Sequence, residues 1–264
     1  MLVAMPQFEV TQLARTRELT AMRARCNGCD PARPCDEHAR GASIWLVTAG
    51  AFQLRDRHGI HALDPTRVLL MPAGHAFVIR HPAGPDTCVS FHGPLVDRLI
   101  EHARLAPLAS SRAARLASEI AAWRRGEPDE LAVAEELIAL AGSDEPHVRS
   151  KADRAVVSAI AHVLRLDLDR GTSLSEVADR AGYSLFHACR VFRAATGMTI
   201  HGFRRELRLR HALARLLDGD EPLAEIADAC GFASQSHLTN LFHARFGITP
   251  AKARTRDGLA RLAA

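Results

Sequence analysis

No apolar stretch in this 264-residue chain approaches the roughly 20 residues needed to cross a membrane. The opening residues, MLVAMPQFEVTQLARTRELT, lack the basic start and apolar run of a secretory leader. These absences predict a cytoplasmic protein with no membrane partner. Catalytic patterns are missing too. The chain has no phosphate-binding glycine loop and no Ser-His-Asp signature. His58 and His61 have two residues between them, and His75, His81 and His92 stand singly, so the His-x-His with a following carboxylate of a metal-dependent barrel enzyme is absent. The expectation is a protein that is not an enzyme.

Apolar residues make up 47% and charged residues 24%, as in ordinary globular proteins with ample core, and the length suits two domains. The charge is uneven. From Lys151 onward 17 Lys+Arg face 12 Asp+Glu, whereas residues 1–150 hold 17 against 18, so the excess of +5 sits beyond a front half at −1. Such an excess fits attraction to phosphate, and it also fits a merely solvated face. The polar break GSDEPHVRS, Gly142 to Ser150, marks the boundary between a domain over 1–145 and another over 146–264.

In the first domain, SIWLVTAGAFQLRDRHGIHAL alternates around Ile44, Leu46, Phe52 and Leu54, with a turn at Asp56 to Gly59. RVLLMPAGHAFVIR and TCVSFH continue the short strands, which predicts a barrel or jelly roll over about 1–93. Helical spacing follows over about 94–141 in PLVDRLIEHARL, SSRAARLASEIAAWRR and DELAVAEELIALA. Those helices either pair two subunits or cover the barrel's own open side.

The second domain repeats itself. Val177, Ala178, Asp179 and Gly182 match Ile226, Ala227, Asp228 and Gly231. After one extra residue in the turn, His187, Phe192, Gly197 and Thr199 match His237, Phe242, Gly247 and Thr249. Each copy has helical apolar spacing on both sides of a glycine, the residue that ends a helix in a left-handed conformation without steric cost. Ser173 and Ser234 are candidate caps. The pattern predicts two helix-turn-helix units, 174–196 and 223–245, in which Ala178 and Ala227 let the second helix cross closely over the first. IHGFRRELRLRHALARLL, Ile200 to Leu217, is the connecting helix. At 1.5 Å per residue it spans about 27 Å, near the ~34 Å repeat of the major groove on one side of DNA.

Three cysteines cluster in RCNGCDPARPCDEH as Cys26, Cys29 and Cys35, with His38 behind them and Cys88 on a later strand. Thiolates and imidazole are the donors of tetrahedral zinc, and other thiophilic metals suit them as well. The alternative reading is that these cysteines are small buried hydrophobes. Bound metal would act either as a staple for the N-terminal arm or as the sensed ligand.

The stretch from Val156 to Arg254, with both repeats and the closing Gly-Ile-Thr-Pro, resembles the AraC/XylS family of bacterial transcription regulators. SIWLVTAGAFQLRDRHGIHALDPTRVLLMPAGHAF is similar, more weakly, to the cupin-like sensor barrel such regulators carry. The resemblance implies an α+β protein: an N-terminal cupin-like β-barrel with flanking helices, then an all-α domain with two helix-turn-helix motifs. It implies sequence-specific binding of promoter DNA, regulation by a small effector or thiophilic metal, a homodimer, and RNA polymerase as a further partner. By position, Phe186, Cys189 and Arg190 of the first recognition helix would face DNA, with Gln235, Ser236, Thr239 and Asn240 of the second. Arg pairs with guanine, Gln and Asn with adenine, and Phe packs on the thymine methyl. Phe186 and Cys189 are unusually apolar for groove-facing positions. His187 and His237 suit support of a helix start or a phosphate better than base readout. Two rival readings are an alkyl-repair regulator with a four-cysteine zinc site, from whose paired spacing this chain departs, and a cupin enzyme fused to a DNA-binding domain.

Overall fold

The computed structural model describes residues 8–27, 35–38, 41–57, 59–81, 85–126, 129–143, 151–255, 258 and 261. It separates into two compact units, Met1–Glu145 with Lys252–Ala264, and Pro146–Ala251.

Among the described residues, the first unit carries strands β1 (Phe8–Arg15), β2 (Thr20–Cys26), β3 (Cys35–His38), β4 (Ser43–Ala49), β5 (Phe52–Asp56), β6 (Gly59–Leu63), β7 (Arg67–Met71), β8 (Ala76–Arg80) and β9 (Asp86–His92). These are followed by α1 (Pro94–Leu99), β10 (Arg104–Pro107), α2 (Ser110–Arg124) and α3 (Glu130–Ala141). The strands form two antiparallel sheets. The larger has the order β1-β2-β9-β4-β7-β10 and the smaller β3-β8-β5-β6.

The central strands of the larger sheet need cover on both faces, and the run VLLM in β7 shows why. Val68 and Leu70 join a core with α1, α2 and α3 through Val96, Leu116, Trp123, Val133, Leu137 and Leu140. Leu69 and Met71 join a second core with Phe52, Leu54, Phe77 and Ile79 of the smaller sheet. The result is three layers: sheet, sheet, helices. Phe91 and Trp123 meet edge to face at 6.3 Å between the larger sheet and α2, a geometry that adds to simple area burial. The helices therefore cover this unit's own sheet. On the outer side of α3, Leu131 and Ile138 remain 69% and 50% exposed.

Two sequence expectations need correction. The strands do not close into a barrel, because the hydrogen-bonded ladders of the described residues leave two open sheets. One edge strand, β10, ends in Pro107, which has no N–H with which to extend a ladder. The helix expected from Pro94 through Leu105 stops at Leu99, where Ile100 turns extended at φ −113°, ψ 105°. Leu105 and Ala106 then enter opposite cores, as consecutive strand residues do.

The second unit carries α4 (Lys151–Leu166), α5 (Leu174–Arg180), α6 (Leu185–Thr196), α7 (Ile200–Asp218), α8 (Leu223–Ala229) and α9 (Gln235–Phe246), and α10 (Pro250–Ala253) follows. A core of Ile160, Leu164, Val177, Ala178, Ala188, Phe192, Phe203 and Leu207 packs α4 through α7. Phe192 and Phe203 lie 5.3 Å apart in it, edge to face. No described helix is long and apolar enough to cross a membrane.

Candidate nucleic-acid interface

Each repeat folds as two helices joined by the same turn. In the first, the Tyr183 N–H donates to the Ala178 carbonyl and the Gly182 N–H to the Asp179 carbonyl. In the second, Phe232 and Gly231 donate to Ala227 and Asp228 in the same way. This paired closure of a helix end requires a left-handed residue, supplied by Gly182 at φ +83° and Gly231 at φ +72°. Ala178 and Ala227 are buried at the crossing.

The recognition helices α6 and α9 are capped alike, Ser184 and Ser234 accepting from the N–H groups of His187 and His237. The extra residue of the second turn, Ala233, donates its N–H to His237 Nδ1 at 3.3 Å. Each histidine also rests on the aromatic residue after the glycine. Tyr183 and His187 are 5.8 Å apart, Phe232 and His237 5.7 Å. In both copies these rings buttress the helix start.

Of the residues assigned to DNA, Phe186 is 80% exposed, and Arg190, Gln235, Ser236 and Asn240 are exposed. Cys189 and Thr239 are half-buried, Cys189 against the first-repeat core. Spacings of one, three, four and five put each set on one side of its helix. Both faces lie in the N-terminal halves of α6 and α9, the parts that reach base edges in helix-turn-helix proteins.

Helix α7 fixes the two repeats to a common frame. Toward the first, Arg204 Nη1 donates to the Thr172 carbonyl at 2.6 Å, and Arg208 donates to the carbonyls of Leu168 and Arg170 at 2.7 and 2.8 Å. The same loop is tied by Asp167, which accepts from Thr172 at 3.0 Å and from Arg180. Burial pushes the Asp167 carboxyl up, but the hydrogen bonds from Arg180 and Thr172 and the charges of Arg180 and Arg170 outweigh it. Its pKa therefore lies below the ordinary carboxylate value. Toward the second repeat, buried Glu206 accepts from Arg210 at 2.6 Å and from Arg245 of α9 at 2.9 Å. Sequence reasoning missed this clamp, whose partners are 39 residues apart. It also missed the Ser184 cap, which the serine after Gly-Tyr could have signalled.

The residues singled out in the first unit are only partly gathered. Cys29 lies outside the described residues, and Cys35 and His38 occupy the two ends of β3 with side chains outside the description. Cys26 and Cys88 are buried thiols on neighbouring strands. Among the described residues, Cys26 groups with His81 and Asp86, which the sequence reading did not select, one ligand atom from each lying within 4.8 Å of the others. The signal for that pair was HPAGPD, two polar residues bracketing a Pro/Gly turn. Elsewhere in this unit, His61 and His75 place Nε2 at 3.0 and 2.9 Å from the two carboxylate oxygens of Asp56. Asp56 and His61 also line a small pocket with Leu69, Met71, Arg104 and Leu105. Cys230 is inert, since burial pushes its thiol up to about 12.

A helix-turn-helix domain family model matches residues 161–256. The multiple antibiotic resistance protein MarA of Escherichia coli is 30% identical over 106 residues, 40% of this chain and 84% of MarA. The transcriptional activator NphR of Rhodococcus is 27% identical over 241 residues, 83% of this chain and 71% of NphR. Among solved structures, ToxT of Vibrio cholerae aligns at a TM-score of 0.39 with 10% identity, covering 91% of this chain and 96% of ToxT.

Proposed function

The chain belongs to the AraC/XylS family of DNA-binding transcriptional regulators, and from that premise we propose that it recognises specific promoter sequences in the cytoplasm through α6 and α9. The observation that carries the reading is the pair of matching recognition helices, each capped by serine, each presenting an outward polar or aromatic set, and both anchored to α7. Gln235 and Asn240 suit adenine, Arg190 suits guanine, and Phe186 suits a thymine methyl. Ser236 and Thr239 serve bases or phosphate, and Cys189 contributes apolar contact. Alanine at Arg190 or Gln235 is expected to cost about 1–3 kcal/mol on the preferred site and to relax specificity at one or two positions. Equal losses on every sequence would reassign that side chain to phosphate.

The first unit serves in this reading as a cupin-like sensor and dimerisation domain. Support comes from its two-sheet core with the pocket at Asp56, His61 and Arg104, and from the exposed Leu131 and Ile138 seven residues apart on α3, an apolar face fitting a second copy of the chain. RNA polymerase is the further partner at the promoter. Sedimentation of the full chain at micromolar concentration tests the pairing: a dimer is expected, and Leu131→Glu should shift it to monomer. A wild-type monomer both with and without DNA would contradict it.

A further inference from the structure

We propose that Cys26, His81 and Asp86 form a binding site for a thiophilic divalent cation of the zinc class, a site that does not depend on the DNA-binding reading. The three residues come from different elements. Cys26 ends β2 and Asp86 begins β9, where the two are register partners in the larger sheet. His81 directly follows β8 of the smaller sheet. All three are more than nine-tenths buried, at 0%, 8% and 4% exposure. Cys88 and Ala24, the next inward pair along the same two strands, belong to the core between the sheets. The cluster therefore sits at one end of that core, joining one sheet to the other.

The donor chemistry selects the ligand. One sulfur, one nitrogen and one oxygen suit zinc, whereas calcium and magnesium require shells of oxygen. A thiolate and a carboxylate bound to the cation would together balance its double positive charge. Metal–ligand bonds of 2.0–2.3 Å put the donors of a tetrahedral zinc about 3.5 Å apart. The three donors here lie within 4.8 Å of each other; His81 Nδ1 and Asp86 Oδ2 already share a hydrogen bond, which an entering cation would replace by bonds to both. The Phe52 ring, 6.0 Å from that of His81, limits the swing of the imidazole.

Of the described side chains, the buried thiol of Cys88 lies in the same region. Cys35, the first residue of β3, has Ile79 as its register partner, two residues before His81. Cys88 is two residues beyond Asp86 on the same strand face. The cation acts as a staple across the sheet ends.

The test uses the full-length, untagged protein, with zinc and cobalt(II) as probes. The purified chain is expected to hold one zinc per chain. X-ray absorption at the zinc edge should show sulfur together with nitrogen or oxygen neighbours, and cobalt(II) in the stripped protein should give a thiolate charge-transfer band. Cys26→Ser should abolish that band, and His81→Gln should weaken zinc binding at least tenfold. Should these variants fail to fold, the zinc-edge spectrum of the wild type decides alone. No stoichiometric zinc uptake, a shell of sulfur only, or a shell without sulfur would each overturn the proposal.

Discussion

Replacing Glu206 with alanine is expected to destabilise the second unit by about 3–5 kcal/mol, because it removes the buried carboxylate that accepts from the buried Arg210 guanidinium. Glu206 and Arg210 are 8% and 6% exposed at their side chains, whereas Arg245 is 44% exposed and can turn to water. The larger part of the loss therefore comes from Arg210. Replacing the pair together, as Glu206→Leu with Arg210→Met, should recover most of the stability, since apolar residues of similar size tolerate the same burial. DNA affinity should not recover with it, because the tie from α7 to Arg245 of the second recognition helix stays broken. Urea unfolding monitored by circular dichroism, beside DNA titration, separates these effects. A Glu206→Ala chain within about 1 kcal/mol of wild type would contradict this account of the clamp.

The two turn glycines occupy equivalent places in the repeat, yet alanine should affect them unequally. At Gly182 an added Cβ meets nothing within 4 Å, so Gly182→Ala carries only the strain of a left-handed alanine, about 1–3 kcal/mol. At Gly231 the same strain applies, and the new Cβ would lie 2.7 Å from the Leu168 carbonyl oxygen and from Arg208 Nη2. Neither atom is at liberty to move, since Arg208 donates to that carbonyl and to the Arg170 carbonyl. Overpacking adds about 1–3 kcal/mol more. Gly231→Ala should therefore melt clearly below Gly182→Ala, and equal melting temperatures for the two variants would refute the close approach.

The sequence made the second unit readable because its signals are local: a glycine that must be left-handed, a serine three residues before the N–H it caps, and apolar spacing at threes and fours. Repetition turned each weak signal into a strong one. What escaped notice acts over distance. Glu206 meets Arg245 only because α7 and α9 cross, and Cys26 meets His81 only because two sheets stack. The early strands were hidden for another reason: β2 alternates alanine and methionine with Arg23 and Arg25, too little apolar contrast to announce a strand before its partners are known. In β10, four residues ending in proline follow directly on a helical pattern and were absorbed into it. The barrel expectation failed because short strands fix neither the order of a sheet nor whether its edges meet.

The central claim is that α6 and α9 together read DNA sequence. Its most direct test is equilibrium binding of the full chain to duplexes selected from a random pool, against scrambled duplexes of equal length and composition, at about 150 mM salt. The account predicts that selected duplexes bind at least about 10³-fold tighter, that affinity for both classes falls steeply with added salt as phosphate contacts release counterions, and that Arg190→Ala with Gln235→Ala together collapse the preference. Equal affinity for selected and scrambled duplexes at that salt would contradict it.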